Sequence, residues 1–393
     1  MLIIGFIIII CLVFLYMLRC SNDSFLKSNI KYFPFILISS YMLRALCSLS
    51  LQGQLNPDFS APHINLHSGW GLSTAFVHAF NGHLAYIIGE NTIPFSLLYS
   101  LFGLIGSCYL ARSILLIFSD MRLSYTGVIL IFFLPGVLVF TSLLGKDAII
   151  FMCTNVCLYV VIKDNRVFWD YSIFLLLFFI ALLIRPYFIA IALIYLCFYT
   201  LSTTIGLRTK ILMMVLISLI FICTKKILLA NYGISSKWSL DSLASIASVN
   251  QINMSSGTSL SVLHRTTLGY LTNLPYMIFG NLFLPLFSSN GISLILASME
   301  NLFALALLIN YLIKRLFYRK MDFNGIINKR AVCIILSYAI SGILVLASNN
   351  SNLGYAIRVK YLYILPLYAY LSQALLQRSI KIRHGLRTSS ATL

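Results

Sequence analysis

Runs of about twenty consecutive apolar residues recur along the whole chain, and no other feature constrains the fold as strongly. A helix rises about 1.5 Å per residue, so about 20 such residues cross the hydrocarbon core of a bilayer. Candidate spans are 2–18, 32–50, 93–112, 126–143, 148–162, 168–184, 187–206, 211–227, 293–313, 331–347 and 361–377. The expected fold class is all-α membrane: a polytopic bundle of about eleven transmembrane helices. It forms one integral membrane domain, 1–393, with outward-facing loops at 52–92 and 225–290. Composition agrees, since 60% of the residues are hydrophobic and 10% charged. Soluble domains hold about a quarter charged residues. The first run lacks a basic leader and a small-residue cleavage site, so it reads as a retained helix. The segment 268–288 is also apolar but carries Asn273, Pro275, Asn281 and Pro285, and reads as re-entrant or interfacial.

Charge placement orients the bundle. Alternate loops collect Arg19, Lys27, Lys31; Arg112, Arg122; Lys163, Arg166; Arg208, Lys210; Lys314, Arg315, Arg319, Lys320, Lys329, Arg330; and Arg378, Lys381, Arg383, Arg387. The other side holds Lys146, Arg185, Lys225, Lys226, Lys237, Arg265, Arg358 and Lys360. The first set marks the cytoplasmic face. The loop 52–92 has no Lys or Arg and faces outward, which leaves the C-terminus inside. The same placement accounts for the net charge of +18: small basic clusters beside apolar spans meet anionic lipid, so membrane lipid is an expected partner and nucleic acid is not.

All nine cysteines lie in or beside apolar spans, which argues against a disulfide framework and a Cys-rich metal site. Four histidines share the first outward loop, His63, His67, His78 and His83, without an accompanying zinc signature, and no metal site is expected. Leu72, Phe76, Phe80, Leu84 and Ile88 recur every four residues and predict an amphipathic helix on the outer membrane surface. No phosphate-binding glycine loop is present, so cytosolic nucleotide chemistry is disfavoured and no cofactor is expected.

Cytoplasmic basic residues need no explanation beyond topology; outward ones oppose the rule. Arg44 lies inside an apolar span, where an ionised group must face a polar cavity, find a partner or snorkel to the interface. Gly145-Lys146-Asp147 reads as the outward tip of a helical hairpin, fit to cap the next helix or to meet an anionic headgroup. Arg185-Pro186 separates two apolar runs at the outer boundary, and Arg358 and Lys360 occupy the last outward loop. With Arg265, these are candidate substrate-binding cations from distant parts of the chain. Arginine suits phosphate oxygens through its planar fork, and the anion at this leaflet is a lipid phosphate or pyrophosphate. Candidate general bases are Asp58, Asp147 and Glu300, between which no spacing pattern chooses.

Four stretches, FLPGVLVFTSLLGKDAIIF, LIRPYF, LPLFSSNGISLILASMENLFALALL and NLGYAIRVKYLYILP, resemble the multi-span proteins of bacterial surface-polysaccharide clusters. Those are O-antigen or capsule repeat-unit polymerases, often grouped with the GT-C glycosyltransferase architecture. The layout departs from the commoner GT-C pattern, because the long first outward loop follows the second span. The resemblance implies a glycosyltransferase of the bacterial inner membrane that joins undecaprenyl-pyrophosphate-linked oligosaccharides at the periplasmic face, with a chain-length regulator as a further partner. It matches Arg185, Arg358 and the Lys146-Asp147 tip. A GT-C transferase adding one sugar from a polyprenyl-phosphate donor, and a flippase for lipid-linked oligosaccharides, are the alternative expectations.

Overall fold

The structure, a computed structural model, describes residues 2–55, 71–118, 122–202, most of 206–219, 267–284, 292–317, 328–349 and 353–390. Asp58, Arg265, His63, His67 and most of the loop 225–290 lie outside the described residues, as does the end of the span 211–227. Among the described residues the architecture is all-helical. The helices are α1 (Leu2–Ser21), α2 (Ser24–Asn29), α3 (Phe33–Leu55), α4 (Thr74–Ile88), α5 (Thr92–Ile117), α6 (Tyr125–Val128), α7 (Pro135–Phe140), α8 (Lys146–Ile162), α9 (Phe168–Ile184), α10 (Phe188–Ser202), α11 (Thr267–Phe283), α12 (Ile292–Phe317), α13 (Lys329–Asn349) and α14 (Leu353–Ser390). Four apolar stretches, Phe33–Leu51, Thr92–Ile117, Ile295–Lys314 and Lys329–Ala347, are long and apolar enough to cross a membrane. Shorter apolar helices cover Phe6–Ser21, Phe168–Ile184 and Phe188–Thr200.

Helix α5 is the axis of the bundle. It is apolar on every side, which suits a helix surrounded by others, and it packs most heavily on α8 and then on α3. Small residues permit this closeness: Ser96, Ser100, Ser107 and Ser113 are all buried along it. At Gly103 a methyl group would collide with the Thr141 carbonyl and lie 2.8 Å from an Arg44 guanidinium nitrogen. The peripheral helices turn apolar side chains outward, Leu175 and Phe179 of α9 and Leu15 of α1 among them, the surface expected where lipid is the solvent.

Two expectations change, for the span 126–143 and for the place of Arg358 and Lys360, and two other segments gain detail. The span 126–143 is a broken helix: α6 runs into a π-helical turn, Ile129–Phe133, and Leu134-Pro135 interrupts it before α7. Proline supplies no N–H and widens the turn before it. The carbonyls exposed there are met by hydroxyls from neighbouring helices, Ser40 on Phe132 and Ser107 on Ile131, each at 2.9 Å. The segment 268–288, expected to be re-entrant or interfacial, contains the continuous helix α11 with Pro275 inside it. Helix α4 is packed into the bundle against α1 and α9, with Phe76, Val77, Ala85 and Ile88 buried. Its buried Asn81 accepts from the Tyr99 hydroxyl of α5 at 2.8 Å, while Tyr86 and Ile87 stay exposed on the other face. Finally, Arg358 and Lys360 stand on the opening turns of α14, not in a loop, and that helix runs on to Ser390.

Candidate functional site

The segment from Pro135 to Asp147 is where the bundle's polar side chains converge. It comprises the short helix α7, a turn and the first residues of α8. Every sequence-derived cation whose side chain is described touches it or its immediate neighbours.

Asp147 is the centre of the first cluster. It is 2% exposed, in the first turn of α8, and each carboxylate oxygen has its own arginine. Arg185 donates to Oδ1 and Arg358 to Oδ2. Gly145, with φ of 157°, begins α8 without a side-chain cap. The Asp147 side chain is committed to the arginines, and its charge still lies in the first turn of α8, where a helix N-terminus favours an acid. Arg185 lies at the joint of α9 and α10, because Pro186 cannot continue the α9 hydrogen-bond ladder. Its guanidinium also donates to the Tyr187 hydroxyl, with the ring beneath it at 5.7 Å. The Tyr363 hydroxyl of α14 reaches Tyr187 at 3.5 Å. Burial opposes ionisation of Asp147, but the charges of Arg358 and Arg185, with Lys146 nearby, outweigh it and hold the carboxyl below its ordinary range. Lys146 itself donates to the Ser73 hydroxyl at 2.9 Å. Ser73 precedes α4, and its backbone N–H is held by the Leu183 carbonyl at 2.8 Å, near the end of α9. The N-terminus of α4 therefore borders this cluster.

Glu300 organises the second. Its Oε1 accepts from the Gly136 N–H at 2.6 Å, at the start of α7, and its Oε2 from the Tyr361 hydroxyl. The carboxylate thereby satisfies an N–H freed by the helix break, a capping role delivered from another helix. A methyl group at Gly136 would collide with the Tyr361 ring and stand 2.8 Å from Glu300 Oε2, so glycine is what admits the Tyr361–Glu300 pair. Lys360 is buried beside this pair and donates to Asn301.

Arg44 sits apart from both. It is fully buried, donating to the Thr141 hydroxyl, to the Val137 carbonyl at 3.3 Å and to Ser107 at 2.8 Å. Its Nε has no partner among the described residues. It clamps α3 to α5 and α7, and does not share the Asp147 cluster. Ser73, Thr141, Tyr187, Asn301 and Tyr361 carry much of this geometry, and sequence reasoning did not single them out. Tyr187 and Tyr361 stand two or three residues from a flagged arginine, a signal available only once the arginine is known to be buried. Among the described residues no group of His, Cys, Asp and Glu is placed to hold a metal ion.

Chemically, the Asp147 cluster is a pair of guanidiniums that share one anion, with a lysine close by. Such a pair accepts a carboxylate or a phosphate equally well. Comparison with protein-family models, curated proteins and solved structures finds no match to the chain.

Proposed function

We propose that this chain is a multi-pass protein of the bacterial inner membrane that polymerises undecaprenyl-pyrophosphate-linked oligosaccharide repeat units of a surface polysaccharide at the periplasmic face. The observation that carries the reading is the convergence of Arg185 and Arg358, remote in sequence, on one buried anion beside Lys146. In the working site the donor pyrophosphate takes the guanidiniums in place of the Asp147 carboxylate. Charge develops on that pyrophosphate as the bond from the sugar anomeric carbon to its oxygen breaks, and the arginines stabilise it. The acceptor hydroxyl forms the new bond to that carbon and gives its proton to a carboxylate. Displaced from the arginines, Asp147 is the nearest described candidate; Glu300 is committed to Gly136 and Tyr361. Undecaprenyl pyrophosphate leaves, and no cofactor takes part.

The eleven-span layout belongs to the same proposal and is compatible with the shared cluster. Residues 147, 185 and 358 share one ion cluster, so they lie at one end of the bundle. The number of crossings between any two of them is then even. Spans 148–162 and 168–184 satisfy this between Asp147 and Arg185. Spans 187–206, 211–227, 293–313 and 331–347 satisfy it between Arg185 and Arg358, as would an even set in which α11 crosses in place of 211–227.

Deletion of the gene tests the function. Surface material capped with a single repeat is expected; full-length polymer in the deletion strain removes the reading. Loss of one side-branch sugar with normal chain length would instead mark a single-sugar GT-C transferase, which the same cations would serve. Polymerisation by the purified protein from presented lipid-linked repeats would eliminate a flippase.

A further inference from the structure

Helices α9 and α10 join at Arg185–Tyr187 and then part. Helix α9 packs chiefly on α8 and α10 on α13, so the two touch little beyond their joint. A cleft of about 300 Å3 opens between them, floored by α8 and α13. Its walls include Cys157, Phe178, Ala181, Ala192, Tyr195 and Ile334. Two of the hydroxyls that border it are spent elsewhere: Thr154 donates to the Ile150 carbonyl at 2.8 Å and Tyr338 to the Leu362 carbonyl at 2.9 Å. The walls therefore offer hydrocarbon and sulfur, and reject water and sugar. From Ala181 to Phe174, both on the lining, the cleft follows α9 for roughly 10 Å. Its upper end, at Ala181 and Phe188, lies one turn from Arg185, whose backbone N–H bonds the Ala181 carbonyl at 2.9 Å. Phe188 in turn packs on Tyr363 at 5.9 Å, close to Tyr187. An apolar slot thus ends at a pair of cations.

We propose that this cleft binds the hydrocarbon chain of a single-chain isoprenyl phosphate whose phosphate rests on Arg185 and Arg358. The proposal rests on reading the Asp147 cluster as a lipid-phosphate site, and it adds where the chain lies. Charge complementarity selects the occupant: the cleft supplies apolar wall for one chain and the cluster supplies cations for one phosphate. A diacyl phospholipid brings two chains to one interhelical gap, and its second chain finds no wall there.

The test is photolabelling of the full chain in nanodiscs with two probes. One is geranylgeranyl monophosphate with a diazirine in the isoprene unit nearest the phosphate. The other is phosphatidylglycerol with a diazirine on one acyl chain. The isoprenyl probe is expected to label peptides within 153–161, 174–181 or 188–196. Ala181→Trp and Ala192→Trp, on opposite walls, should each cut that labelling about ten-fold or more, since losing about two buried methylenes already exceeds a decade. Arg185→Ala should reduce it as well, and the phospholipid signal should not change in any variant. Ala192 is only half-buried, so its substitution keeps the test sharp if Ala181→Trp fails to insert. Isoprenyl labelling that persists in the filled variants or maps elsewhere overturns the proposal, as does phospholipid labelling of the cleft that the tryptophans abolish equally. Labelling needs no turnover. Cleft labelling together with full-length polymer in the deletion strain would keep this site and remove the polymerase reading; single-repeat capping without cleft labelling would do the reverse.

Discussion

Replacing Asp147 by Asn removes the negative charge from between Arg185 and Arg358 while keeping the side chain's size and one acceptor oxygen. If the carboxylate occupies the place of a substrate phosphate, the variant should bind phosphate groups more tightly. At about 4 Å and an effective dielectric near 20, opposite charges attract by about 4 kcal/mol. Arg358 is 26% exposed, so solvent screening reduces its share. Arg185, at 5% exposure, retains most of its own. A charge-assisted contact of this kind contributes about 1.5–3 kcal/mol net. Relieving the competition should therefore tighten pyrophosphate binding by roughly 10- to 150-fold. Titration calorimetry of inorganic pyrophosphate against the purified protein at low ionic strength reads this directly. Arg185→Ala serves as the comparison and should bind weakly with or without Asp147→Asn. The same substitution leaves two arginines without their counter-ion and should lower stability, so binding is measured well below the unfolding temperature. Affinity that is unchanged or weaker in Asp147→Asn would refute the reasoning, because the carboxylate would then be part of a structural ion cluster and not a placeholder.

Arg185→Ala and Arg358→Ala should each reduce polymerisation about 30- to 1000-fold, as loss of roughly 2–4 kcal/mol of phosphate stabilisation requires, with Lys rescuing only in part; Arg319→Ala, in a cluster that the charge asymmetry assigns to the cytoplasmic face in the proposed layout, is the matched control, and full activity of both Lys variants would remove the arginines from the site. Gly103→Ala should destabilise the bundle by about 1–3 kcal/mol through overpacking against Thr141 and Arg44, read as a shifted unfolding midpoint in detergent; a neutral result would mean that α5 shifts freely at this point. Glu300→Ala should cost about 1–3 kcal/mol by orphaning the Gly136 N–H, and Glu300→Gln much less because its oxygen still accepts that bond. Unfolding measurements compare the two, and an activity lost in a stable Glu300→Gln protein would instead make Glu300 the general base.

The apolar runs and the cations set apart from the Lys/Arg-rich loops were legible without a structure, because both follow from local chemistry. A run of apolar residues forms a helix wherever it meets lipid, and a cation on the wrong side of the charge asymmetry needs a reason to be there. Arg185, Arg358 and the Lys146-Asp147 tip were found in this way. Which anion meets which cation was not legible. Asp147 reaches Arg185 across 38 residues and Arg358 across 211, separations over which hydropathy and spacing carry no pairing information. Asp147 and Glu300 looked interchangeable, and helix packing divided them, giving one to two arginines and the other to a broken helix end. Arg44 looked like a member of the cation set until α3, α5 and α7 closed around it. The break at Leu134-Pro135 was equally hidden, since a proline in an apolar run reads as a kink whether or not neighbouring hydroxyls and a carboxylate satisfy what it exposes. Local chemistry set which residues had to be helical or paired; the close approach of helices distant in sequence decided their partners.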